Sequence, residues 1–104
     1  MDPEVLILEE SKARNVDGSS VDRRRNWKQL WENCTGRTFG RCSFFGCANE
    51  ATDGGHLWIQ GKSNNNFQYI APVCRPCNSK TENRFYADMK KNTIYVRIPT
   101  HDKF

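Results

Sequence analysis

Residues 41–59 read RCSFFGCANEATDGGHLWI, and residues 67–85 read FQYIAPVCRPCNSKTENRF. The first stretch carries Cys42 and Cys47, the second Cys74 and Cys77. Two close pairs of soft ligands joined by a loop are what a tetrahedral structural zinc site requires, because each pair chelates from one short turn. The spacing predicts a four-cysteine zinc site of Cys42, Cys47, Cys74 and Cys77. Two disulfides are the competing reading. Five cysteines is an odd number, and the opening MDPEVLILEE is acidic with an apolar run of four, unlike a secretory signal. A reducing, intracellular compartment (cytoplasmic or nuclear) is therefore expected, and it favours the metal.

Composition supports the same view. A chain of 104 residues with 37% apolar and 27% charged residues is one small domain with a modest core. Such a domain gains from a metal clip, since metal-binding energy becomes folding energy. The net charge of +4 permits nucleic acid as a partner without demanding it. No stretch is long or apolar enough to span a membrane.

Outward from the cysteines, local patterns predict the elements. Gly40 and Gly46 let the first knuckle curl, with Phe44 and Phe45 divided between packing inward and shielding the metal. ATDGG (residues 51–55) reads as a turn, residues 56–59 as a strand and residues 61–66 as a hairpin loop. Residues 67–73 then form the returning strand. Leu57 and Ile59 share one face of the first strand, His56 and Trp58 the other. A helix is expected to start at Asn78 or Ser79, with Ser79 and Glu82 as a capping box, and to carry Phe85, Tyr86 and Met89 before ending at Asn92. Residues 93–99 alternate as a last strand.

Upstream, Trp27, Leu30, Trp31 and Cys34 fall at i, i+3, i+4 and i+7 in a helix over residues 20–34, capped by Ser19 or Ser20 and closed by Gly36. The two tryptophans read as core, and Cys34 as a small buried hydrophobe. Residues 11–20 read as a polar linker, and Val5 to Leu8 as a short buried strand or a loose arm. The expected division is an N-terminal strand or arm over 1–19, a zinc-binding domain over 20–99 and a tail over 100–104. The surplus cations, Arg23, Arg24, Arg25, Lys80, Arg84, Lys90 and Lys91, are candidate phosphate contacts.

Residues 40–82 resemble the HNH-type (ββα-metal) treble-clef proteins. The resemblance rests on Cys42 and Cys47, on Gly55-His56-Leu57, on Pro72-Val73-Cys74 and on Cys74-x2-Cys77-Asn78-x-Lys80. It implies a small α+β fold: a zinc-stabilised treble-clef, HNH-like ββα core with a preceding helix and a C-terminal strand. In the nucleases of that group the histidine is a general base acting on a phosphodiester held by a second divalent ion. Carried onto this chain, His56 is the base and Asn78 a metal-side ligand. Asp53 is the nearest carboxylate, because Gly55 precedes the histidine, and magnesium or manganese would be the second ion. Tyr69 stands where the family places the asparagine that orients the base.

His56 thus has three readings: a structural residue bonded to a backbone carbonyl near the knuckle, a catalytic base, or a zinc ligand in place of a cysteine. Three functions follow. The first is a non-catalytic zinc module that binds nucleic acid (DNA) or a protein. The second is a metal-dependent endonuclease or nickase, and the third a small protein-binding inhibitor or adaptor.

Overall fold

Strands account for most of the regular structure in the computed structural model, which describes residues 3–16, 26–62, 66–79 and 85–99. Six strands form one antiparallel sheet: β1 (Glu4–Leu8), β2 (Lys12–Asn15), β3 (Asp53–Ile59), β4 (Phe67–Val73), β5 (Ala87–Asp88) and β6 (Thr93–Pro99). Their order is β1-β6-β4-β3-β2-β5, and every pairing is antiparallel. Among the described residues the helices are α1 (Trp27–Thr35) and the single-turn α2 (Arg75–Asn78). None among the described residues is long and apolar enough to cross a membrane.

This architecture corrects the expected α+β fold with a ββα core: the described residues are mostly antiparallel sheet with one short helix besides the single turn at Arg75–Asn78. The second helix fails at its C-terminal half. Ala87 packs against the core and Met89 is buried, while Asp88 between them points outward, which is strand periodicity. Ala87 and Asp88 pair with Ala13 and Lys12 of β2, and Met89 bridges to Phe44. An edge strand presents unpaired amides and carbonyls, and β5 supplies their partners. β2 itself lies in the segment expected to be a linker. KARN has little strand propensity, but Ala13 and Asn15 alternate inward onto β3, and that context overrides local preference. Expectations resting on residues 17–25, 80–84 and 100–104 lie outside the described residues.

The sheet has two buried faces. On one, α1 lays Trp27 and Trp31 against Ile70, Val96 and Ile98. Asn26 caps this helix by accepting from the Gln29 amide at 3.0 Å, and Gly36 ends it in the left-handed conformation. Trp31 donates its indole N–H to the Ile94 carbonyl at 2.9 Å. Cys34 packs against this cluster as a partly buried side chain. On the other face, Leu57, Ile59, Tyr69, Ala71, Val73 and Tyr95 meet Ala13, Phe44, Met89, Cys42 and Cys74.

Among the described residues β1 pairs only with β6, so it is an edge rather than a buried strand. Leu6 and Leu8 pack on the cysteine face, whereas Val5 and Ile7 are 44% and 58% exposed.

β3 starts at Asp53, so the expected turn at residues 51–55 is in part a strand. Its glycines admit neighbours that a side chain would exclude. A Cβ on Gly54 would lie 2.7 Å from the Cβ of Trp27, and one on Gly55 2.6 Å from Val73 Cγ2. The first lets α1 settle on the sheet, and the second lets β4 and α2 close over the other face.

Candidate metal centre

The first cysteine pair sits in a tight hairpin. Arg41 and Glu50 form an antiparallel bridge, the Cys42 amide donates to the Asn49 carbonyl at 2.9 Å, and the Cys47 amide donates to the Phe44 carbonyl at 3.2 Å. Phe44 is buried in the core, and Phe45 at the hairpin tip is 70% exposed. The second pair sits where β4 ends. Cys74 is the N-cap of α2, and the Asn78 amide donates back to its carbonyl at 2.9 Å. This moves the helix start from the expected Asn78 or Ser79 to Arg75, and Ser79 is the C-cap. The reason is local: Pro76 suits a first helical turn, and one turn brings residues three apart onto one face, so Cys77 returns toward Cys74.

The two turns converge. The sulfurs of Cys42, Cys47, Cys74 and Cys77 all lie within 4.8 Å of one another and can hold one metal ion. Cys47 Sγ is 3.8 Å from Cys74 Sγ and 3.9 Å from Cys77 Sγ. Four thiolates placed tetrahedrally at about 2.3 Å from one centre would stand about 3.8 Å apart. A disulfide needs about 2.05 Å, so these are free thiols.

Neighbouring groups hold the cluster in place. The Ser43 amide donates to the Pro72 carbonyl, the Lys90 amide to the Ser43 carbonyl, and the Phe45 amide to the Asp88 carbonyl. Lys90 Nζ donates to the Cys47 carbonyl at 2.6 Å, and Asn15 Nδ2 to the Cys77 carbonyl at 2.8 Å. Asn49 Nδ2 points at Cys74 Sγ from 3.6 Å.

Burial pushes the Cys42 thiol up against the amide donors of Phe44 and Cys74, and burial also raises Cys77. Burial opposes ionisation of Cys74 too, but the Cys77 amide and the Asn49 side chain overcome it and bring that thiol down to about 7. A cation at the centre would favour all four thiolates, as metal–thiolate ligation does generally.

The candidate catalytic residues fall on opposite sides of the sheet. Positions 53 and 56 are three apart on β3, so their side chains point opposite ways. His56 lies under α1, edge-on to Trp27 at 4.5 Å between centroids, and is 2% exposed. Its Nδ1 is within hydrogen-bond distance of Gln68 Oε1, at 2.9 Å. The described partner of this nitrogen is thus a side chain rather than the expected backbone carbonyl, and the four-sulfur group does not include His56.

Asp53 and Asn78 meet on the cysteine face. Arg75 donates to Asp53 through Nη2 at 3.2 Å and Nε at 3.3 Å, Asn78 Nδ2 donates at 3.0 Å, and Thr52 Oγ1 at 3.0 Å. Burial works against the Asp53 carboxylate, but these donors and the Arg75 charge hold it below its ordinary range. Asp53 is therefore a clasp between β3 and α2.

Of the candidate phosphate contacts, Arg23, Arg24, Arg25, Lys80 and Arg84 lie outside the described residues. Lys90 is engaged at the knuckle, and Lys91 is exposed in the turn before β6. Asn15, Asn49, Arg75 and Lys90 were not legible as supports of the cluster. Only Asn49, within the knuckle, and Arg75, next to a ligand, had a signal in their position.

No protein-family model, no curated protein and no solved structure matches this chain.

Proposed function

We propose that this chain is a zinc-binding module in which the metal is structural, and that it works by binding a partner rather than by catalysis. The observation that carries this reading is a set of four thiols within 4.8 Å of one another, two of whose separations, 3.8 and 3.9 Å, match the edge of a tetrahedral thiolate site. Zinc suits four thiolates in that geometry, and a closed four-sulfur shell leaves no position for a reacting water. The burial of His56 on the far side of the sheet from Asp53 and Asn78 supports the non-catalytic part.

The described surface favours a protein partner. Phe45 and Phe85 are 70% and 82% exposed. Among the described cations, Lys12 faces Asp88, Arg75 holds Asp53 and Arg97 pairs with Glu4, while Lys91 is exposed and lines the same groove as Phe45. Elemental analysis of protein purified under reducing conditions tests the metal, with one zinc per chain expected; a protein free of transition metal sinks the proposal. Titration of duplex DNA against salt tests the partner class. Weak binding with a flat salt response fits a protein-binding surface, whereas tight binding that falls steeply with salt assigns nucleic acid instead. Plasmid cleavage with magnesium or manganese that disappears in His56→Ala would replace the non-catalytic reading with a nuclease.

A further inference from the structure

The four sulfurs are unequal. Cys42 and Cys74 are buried, at 0% and 2% exposure, whereas Cys47 and Cys77 are only partly buried. Both of the latter line one surface groove, together with Phe45, Gly46, Pro76 and Ala87. Their sulfurs are 3.9 Å apart and come from different ligand pairs. Cys47 is equally close to Cys74, at 3.8 Å, so access rather than distance separates the two pairings. The fifth cysteine, Cys34, packs on the α1 face and takes no part.

We propose that Cys47 and Cys77 are an oxidation site, at which a peroxide reaching the groove converts the two thiolates into a disulfide and releases the metal. This rests on the zinc reading above. One thiolate attacks a peroxide oxygen, the O–O bond breaks, and a sulfenic acid and hydroxide form. The second thiolate attacks the sulfenic sulfur, the S–S bond forms, and the second hydroxide leaves. Two thiolates, one hydrogen peroxide and two protons give one disulfide and two waters, with two electrons passing from sulfur to oxygen. The ion loses two of its four ligands and is freed. The sulfurs must close from 3.9 Å to about 2.05 Å, between a hairpin tip and a one-turn surface helix. Exposure of the thiolate selects which cysteines oxidise, and here that selection joins the two knuckles to each other.

The test uses the zinc-loaded wild-type chain, with its zinc-to-chain ratio measured first. Hydrogen peroxide is added, zinc release is followed with a chromophoric chelator, and the disulfide is mapped by tandem mass spectrometry. The expected first product is a Cys47–Cys77 bridge formed in step with zinc release and reversed by a thiol reductant with added zinc. N-ethylmaleimide at low conversion should label Cys47 and Cys77 about tenfold faster than Cys42 and Cys74. A first bridge within either knuckle, a Cys47–Cys74 bridge, or even labelling of all four in zinc-bound protein overturns the proposal. A starting ratio near zero overturns the metal reading together with it, and that ratio tells the two failures apart.

Discussion

The two faces of the sheet are held by different means. The α1 face is an ordinary apolar contact: a capped helix brings Trp27 and Trp31 onto Ile70, Val96 and Ile98. The cysteine face is covered by a hairpin, a one-turn helix and a two-residue strand. Short pieces like these bury little surface each and form few of their own hydrogen bonds, so they depend on a shared anchor. Four thiols at that point, with Lys90, Asn15 and Asn49 tied to the same loops, put the anchor at the cysteine cluster, which can hold one metal ion. On the proposed zinc reading, the sheet is covered on one side by propensity and packing and on the other by ligation.

The largest test of this contrast is metal removal. A chelator should abolish hydrogen-exchange protection at the Cys42, Ser43, Asn78 and Lys90 amides, which all bond within the cysteine face, by more than about a hundredfold. Amides of α1 and of the β4–β6 ladder should lose less. Equal loss on both faces would break the contrast and make the domain one cooperative unit.

Next comes Trp31→Ala, which empties the centre of the α1 face and removes a hydrogen bond to Ile94. A loss of about 3–5 kcal/mol is expected from urea unfolding of the metal-loaded protein, in the range of large-to-small core changes. A loss under about 1 kcal/mol would show that α1 is not an independent support.

A smaller effect sits on the cysteine face. Burial raises the Tyr95 hydroxyl to about 12, with its Ser11 hydrogen bond pulling the other way. An unfolded tyrosine titrates near about 10, so above that pH the unfolded chain has released a proton that the native chain retains. Stability is then lost as pH rises, by about 2–3 kcal/mol as pH 12 is approached, and Tyr95→Phe should remove that slope. Identical alkaline profiles in both proteins would contradict the burial argument.

The smallest change is Asp53→Asn. Arg75 is 74% exposed, so its ion pair contributes little, and a loss of about 1 kcal/mol is expected, from weakened hydrogen bonds of the clasp. The unfolding midpoint with and without metal checks whether the clasp acts through α2. A drop only in the metal-loaded protein sharpens the contrast, and an equal drop in both removes α2 from it.

Much of the site was legible because ligation leaves a spacing in the chain. Cys42, Cys47, Cys74 and Cys77 need only two tight turns, and each turn is local. The strands at residues 67–73 and 93–99 were legible from alternation, and Trp27 and Trp31 as core from helical spacing. The second helix was misread because Phe85, Tyr86 and Met89 fit a helical stripe as well as Ala87 and Met89 fit a strand. β2 was invisible, since Lys12–Asn15 becomes a strand only with β3 beside it. The supporting bonds of Asn15 and Lys90 join residues 62 and 43 positions apart, and no local pattern marks them.

By itself, the order of residues determined where the thiols could gather, which strands could alternate and which helix face had to be covered. Those are consequences of turn geometry and side-chain period acting over a few neighbours. Only the tertiary structure decided that the segment near residue 87 joins the sheet, that β1 is an edge, and that His56 is buried beneath α1 while Asp53 and Asn78 meet on the opposite face. The reason is that a strand is completed by its neighbour. Its backbone groups are satisfied across the sheet, and which face a side chain occupies depends on what packs there.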